Sequence, residues 1–163
     1  MQKPAGDPWQ SPSGNAYAGN YGGNEQRAEP RRLQLFEEKV ALASARMYNE
    51  KDAPGWRIMT RNYWVGRTPH MRTFLEWIEA HPNEEITEDE IKKVKSGCEL
   101  MIDIDKLEAR QQMWAYLNMN LQGDIAEIFR NFEMLNGAEA WRRIVSLILS
   151  QSGAKRSRLR HKA

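Results

Sequence analysis

The chain has 163 residues, a formal net charge of +2, 40% hydrophobic residues and 28% charged ones. That length and balance point to one domain with a modest core, with or without tails, and the net charge alone is too small to argue for a nucleic-acid partner. A single cysteine, Cys98, excludes an internal disulfide framework and any cysteine-based zinc cluster. No apolar run approaches the roughly 18 residues of a membrane span, and the N-terminus lacks the apolar segment of a secretory signal. The expectation is an intracellular, cytoplasmic protein with no membrane contact.

Residues 1–30 are rich in Gly, Pro, Asn and Ser, and show neither a helical nor a strand period. Such a stretch buries too little surface to offset its ordering entropy, so it reads as a disordered leader, punctuated by Trp9, Tyr17 and Tyr21. Order is expected over residues 31–152. In the first segment Leu33, Phe36, Val40, Ala43 and Met47 fall on one helical face. Pro54 is well placed at the start of a second helix, where its missing N–H costs nothing. That helix carries Trp56, Met59, Tyr63 and Trp64, and ends at Gly66.

Thr68-Pro69 repeats the start signal ahead of a third stripe, Met71, Phe74, Leu75 and Ile78, with Trp77 beside it. Thr87 to Glu90 spells a capping box before Ile91, Val94 and Cys98. Glu88, Asp89 and Glu90 lie at the positive end of that helix dipole, with Lys92, Lys93 and Lys95 following. Leu100, Ile102, Ile104 and Leu107 alternate with polar residues, but without a partner strand they read as helix entering the next element. From Met113 to Leu149 the apolar spacing is helical. One stripe is Trp114, Leu117, Leu121, Ile125, Ile128, Phe129 and Phe132, and the next is Trp141, Ile144, Val145 and Ile148.

Asn136-Gly137 between the two stripes reads as a stop, because glycine reaches a left-handed cap without steric cost. The two helices would form a hairpin. Ser152-Gly153 is expected to end the last helix, leaving residues 153–163 as a basic tail. The fold expected is all-α, a bundle of six or seven helices.

No catalytic constellation emerges, and the chain reads as a non-enzyme without cofactor, metal or small-molecule substrate. His70, His81 and His161 lack metal-ligand spacing, and no glycine-rich phosphate loop is present. The carboxylates from Glu84 to Glu90 read as solvated caps. Asp103 and Asp105, two apart, lie on different helix faces. Trp114 and Trp141 read as structural anchors, like Trp56, Trp64 and Trp77, with a groove for an aromatic or Pro-rich ligand as the alternative. In the tail, Lys155, Arg156, Arg158, Arg160 and Lys162 are candidate nucleic-acid contacts. The last ten residues hold these five basic groups and no acid. A merely solubilising end is the other reading of them.

The spaced aliphatics Leu117, Leu121, Ile125 and Ile128, followed by Gly137-Ala138-Glu139-Ala140-Trp141, resemble the Gag capsid region of copia-type LTR retrotransposons. Gly55-Trp56 through Trp64 and Met71 to Trp77 resemble that family's N-terminal capsid helices, so the resemblance covers about residues 50–150. It implies an all-helical structural protein that self-assembles as a homo-oligomer around element RNA. The chain lacks the C-x2-C-x4-H-x4-C zinc knuckle and the D-[ST]-G protease motif of a full Gag. It therefore reads as a capsid segment, a truncated polyprotein or a domesticated relic. A helical protein–protein adaptor or nucleic-acid-binding module unrelated to Gag is the competing class.

Overall fold

The computed structural model describes residues 33–93 and 105–160, apart from the side chain of Leu159. The expected leader, and the expectations for Val94, Lys95, Cys98, Leu100, Ile102, Asp103, Ile104, His161 and Lys162, lie outside them. The described residues form seven α-helices and no strand. These are α1 (Glu38–Ala41), α2 (Ala53–Arg67), α3 (Met71–Glu79), α4 (Glu88–Lys93), α5 (Lys106–Asn120), α6 (Asp124–Arg130) and α7 (Gly137–Arg160). The longest, α7, packs chiefly on α5 and also touches α2 and α3.

Local signals start most of these helices. Asp52 caps α2 by accepting from the Gly55 N–H at 3.1 Å, with Pro54 in the first turn. The Thr87 hydroxyl accepts from the Glu90 N–H at 3.2 Å, the first half of the expected capping box; the Glu90 carboxylate instead pairs with Lys93 at 3.1 Å. Asp105 caps α5 through the N–H groups of Leu107 and Glu108, each at 3.0 Å. In α3 the expected stripe is the buried one: Met71, Phe74, Leu75 and Ile78 are all fully covered. No side chain caps α3, so Thr68 does not fill the role expected of it. Its backbone carbonyl closes the turn instead, accepting from Met71.

The first segment departs from expectation. In place of a helix from Leu33 to Met47 there is an extended arm, the single turn of α1 and a short 3-10 turn at Ser44–Arg46. Leu35, Ala41 and Tyr48 are the buried residues there. The arm lies along α5, where Gln112 Oε1 accepts from the Leu35 N–H at 2.7 Å and Gln112 Nε2 donates to the Leu33 carbonyl. Those two main-chain groups are satisfied by a distant side chain, which removes the need for helical pairing.

The long stripe from Trp114 to Phe132 is two helices. Gly123, with φ +67° and ψ −150°, turns the chain between them in a region that only glycine occupies freely. The Asn136-Gly137 pair starts a helix instead of ending one. Asn136 Oδ1 accepts from the Glu139 N–H at 3.2 Å, and the left-handed residue is Leu135, with φ 63°.

Gly137 is glycine for a different reason. A Cβ there would overlap the Arg110 carbonyl oxygen and the Trp114 backbone nitrogen, and would sit 2.6 Å from Met113 Cβ. The start of α7 thus lies directly against the backbone of α5. Gly137→Ala should force the two helices apart and destabilise the protein by about 1–3 kcal/mol, as overpacking does. Gly153→Ala, where a Cβ meets nothing within 4 Å, should instead stabilise it by about 0.5–1 kcal/mol through helix propensity. Urea denaturation of the two variants checks both signs.

A run of aromatic contacts crosses the core. Tyr48 meets Trp56 edge-on at 5.1 Å, and Trp56 meets Trp141 at 6.0 Å. Trp141 meets Trp64 at 4.9 Å, and Trp64 meets Tyr116 at 5.2 Å. Trp141 is fully buried, as an anchor should be, and it joins α7 to α2 and α3. Trp114 is only half-buried, stacked on Phe129 with ring centroids 4.2 Å apart.

Candidate functional site

Glu139, the acid of the Gly137–Trp141 run, is 3% exposed. Its carboxylate accepts from the Ile86 N–H at 2.8 Å, from Arg142 Nε at 2.7 Å and Nη2 at 2.5 Å, and from Arg143 Nε at 2.5 Å. Arg142 Nη1 also donates to the Pro82 carbonyl. Asn136 Nδ2 donates to the Ile86 carbonyl at 3.0 Å. Together these bonds strap the loop between α3 and α4 onto α7, with Ile86 buried beneath. Burial pushes the Glu139 carboxyl up, but Arg142, the Ile86 N–H and Arg143 outweigh that and hold its pKa below the ordinary value. The arrangement is a clamp with its lone pairs committed to the fold.

A second carboxylate joins three helices. Glu79 at the end of α3 accepts from Arg57 Nη2 at 3.0 Å and from Trp141 Nε1 at 3.1 Å, with Arg61 3.8 Å away. Spacing rules did not single out Glu79 or Glu139 as a hub, because the partners that tie them to other elements, Arg57, Ile86 and Trp141, lie 22 to 62 residues away in the chain. An acid in the first turn beside two arginines was the one local hint at Glu139.

The same loop forms one wall of a cleft of about 540 Å3, lined by Trp77, His81, Glu84, Glu85, Glu90 and Lys93 among others. His81 is oriented by its neighbours: its Nδ1 lies 2.7 Å from the Trp77 carbonyl oxygen, and its ring sits 5.2 Å from the indole. Glu84, Glu85 and Glu90 are exposed, as solvated caps should be. On another face, Ile128 and Phe132 from α6 and the following turn meet Arg143, Ser146, Leu147 and Ser150 of α7 around a groove of about 520 Å3. Ile128 and Leu149 are exposed large apolar residues on these two helices.

The candidate nucleic-acid contacts differ from expectation in conformation. Gly153 does not end α7, which continues to Arg160. Lys155, Arg156, Arg158 and Arg160 are therefore exposed on a helix and not strung along a loose tail. Lys155 and Arg158 form one row, Arg156 and Arg160 another. From Leu149 to Arg160 no described side chain is buried. Among the described residues, no group of three or more His, Cys, Asp or Glu side chains is placed to hold a metal ion, and no helix is long and apolar enough to cross a membrane. Asp105 is spent on capping α5. Trp56, Trp64 and Trp141 are core residues, which leaves Trp77 and Trp114 as the half-exposed indoles of the described helices. No protein-family model, no curated protein and no solved structure matches the chain.

Proposed function

We infer that this chain is a Gag-like capsid protein of the copia-type retrotransposon class, a structural protein of the cytoplasm that self-assembles and packages RNA by non-specific electrostatic contacts. The observation that carries the reading is the shape of α7. Its first half, from Ala138 to Ile148, is the centre of an all-helical core, while its second half leaves that core bearing Lys155, Arg156, Arg158 and Arg160. One helix thus joins a packed body to an outward-facing polyelectrolyte. The groove between α6 and α7 adds an apolar surface of the kind that association covers. Without an aromatic residue among the cations, RNA contact would be to phosphate and indifferent to base sequence.

The Trp77 cleft supports a second reading, a helical adaptor that holds a peptide. Sedimentation velocity across a hundredfold range of protein concentration, with and without single-stranded RNA, separates the two. The capsid reading expects small species at low concentration and large particles, visible by negative-stain microscopy, above a threshold. A monomer throughout would overturn it. RNA affinity should fall with salt by about 0.7 in log–log slope per phosphate contact, hence by at most about 3.5 for five cations. Removal of residues 154–163 should take most of that slope away and leave the core's melting unchanged.

A further inference from the structure

Two parts of the molecule carry opposite charge, and one copy cannot bring them together. The first is the cleft with Trp77 and His81 in its wall and Glu84, Glu85 and Glu90 around it, Glu90 being paired with Lys93 of the same lining, so that the acids outnumber the lysine by three to one. The second is the unpacked end of α7 with its four exposed cations. The α3–α4 loop runs back along α7: the Pro82 carbonyl accepts from Arg142 and Ser146, whereas Ile86 is held by Asn136 and Glu139. The cleft therefore lies toward the start of α7. From Ser146, which holds Pro82, to Lys155 the helix is continuous, which at 1.5 Å per residue puts the cations about 14 Å or more along its axis beyond the loop's near edge, and about 24 Å or more beyond Glu139. They could reach the cleft of the same copy only if the helix broke. A helical stretch this short with nothing packed on it is marginal in water, so a partner that covers it would add order.

We propose that the Trp77 cleft receives the basic end of α7 from a second copy of this chain. This rests on the self-association reading above and names the surfaces that carry it. Carboxylates of Glu84 and Glu85 meet the lysine and arginine heads, with Glu90 shared with Lys93, and the half-exposed Trp77, flanked by Phe74 and His81, forms the apolar wall against their stems. The contact is head-to-tail, so every added copy leaves one cleft and one basic end open, and growth continues unless the rotation closes a ring. RNA phosphates compete for the same four cations, so the ratio of RNA to protein sets how many clefts are filled.

The test is a charge swap followed by sedimentation. One variant carries Glu84→Lys, Glu85→Lys and Glu90→Lys; the other carries Lys155→Glu, Arg156→Glu, Arg158→Glu and Arg160→Glu. All seven side chains are exposed, so both variants should keep the core's melting, with small local losses where Glu90→Lys breaks the Lys93 pair and where acids replace the cations at the end of α7. If the lysine variant does not fold, the three Glu→Gln changes replace it, with association weakened instead of repelled. Wild type should form larger species at low salt and lose them as screening shortens from about 10 Å at 0.1 M to about 3 Å at 1 M. Each variant alone should need at least tenfold more protein to associate, and an equimolar mixture should recover wild-type behaviour, because each reversed surface then meets its complement. If wild type associates and either variant alone matches it, the interface lies elsewhere and only this assignment falls. A wild type that stays monomeric overturns the self-association reading as well. If the glutamate variant loses only RNA binding and sediments as wild type, the basic end serves RNA and the docking assignment falls.

Discussion

Glu139→Ala should cost about 3–5 kcal/mol, the range for breaking a buried ion pair from one side. The penalty comes from what remains. Arg142 is itself buried and would keep a single partner, the Pro82 carbonyl, for its three donor nitrogens. The Ile86 N–H, now bonded to Glu139 Oε2, would be left without an acceptor. With the strap gone, the α3–α4 loop should open before the core melts, so hydrogen exchange at Ile86 should rise more than exchange in α5. Glu139→Gln separates charge from shape: it keeps the length but turns one acceptor oxygen into an amide NH2 donor that faces arginine donors, and it should be nearly as damaging.

The pH dependence has a definite sign. Glu139 titrates below its ordinary value of 4.5 in the folded protein. Its stabilisation is therefore complete above about pH 4.5, and drains away as the pH falls below that toward the folded pKa. Wild type should lose stability faster than Glu139→Gln over that acid interval. Urea denaturation at neutral and acid pH measures both effects. A cost below about 1 kcal/mol for Glu139→Ala at neutral pH would mean that Ile86 and its apolar neighbours hold the loop unaided.

Trp141→Ala is expected to cost a similar 3–5 kcal/mol, the range for truncating a large core aromatic. Against the roughly 5–15 kcal/mol that stabilises a typical domain, that is enough to unfold a marginal one. The indole contacts the rings of Trp56 and Trp64 and donates to Glu79, so truncation opens a void where α2, α3 and α7 meet. Trp141→Phe makes the informative comparison. It keeps a ring but removes the donor, and Glu79 still has Arg57 at 3.0 Å and Arg61 at 3.8 Å. Losing one hydrogen bond whose acceptor remains satisfied should cost about 1 kcal/mol, plus the smaller ring's packing deficit. If Phe proves as harmful as Ala, the Glu79 bond dominates; if Ala proves harmless, the core closes over the gap.

The all-helical class, the stripe of α3, the proline start of α2 and the Thr87 cap were legible in the residues alone. Each depends on groups within one or two turns of one another, where spacing translates directly into shared faces and cap geometry. The chain from Leu33 to Met47 has a helical pattern too, yet Gln112 draws its backbone into an extended arm, and no periodicity within that segment reports a partner 77 residues away. Gly153 looks like a terminator, but it is a helix stop only when it takes a positive φ, which in the described residues is found at Gly123 among the glycines. At Asn136-Gly137 the residue types were informative and the role was not. The need for glycine there is the close approach of α5, a fact of tertiary packing. The same division holds for function. Sequence alone located the five cations, the carboxylates from Glu84 to Glu90 and the tryptophans. Trp141 was legible as a core anchor, and is fully buried; only the tertiary structure made Glu139 a clamp and the basic end a helix held away from the acidic cleft, because each of those depends on which distant surfaces a continuous α7 can and cannot reach.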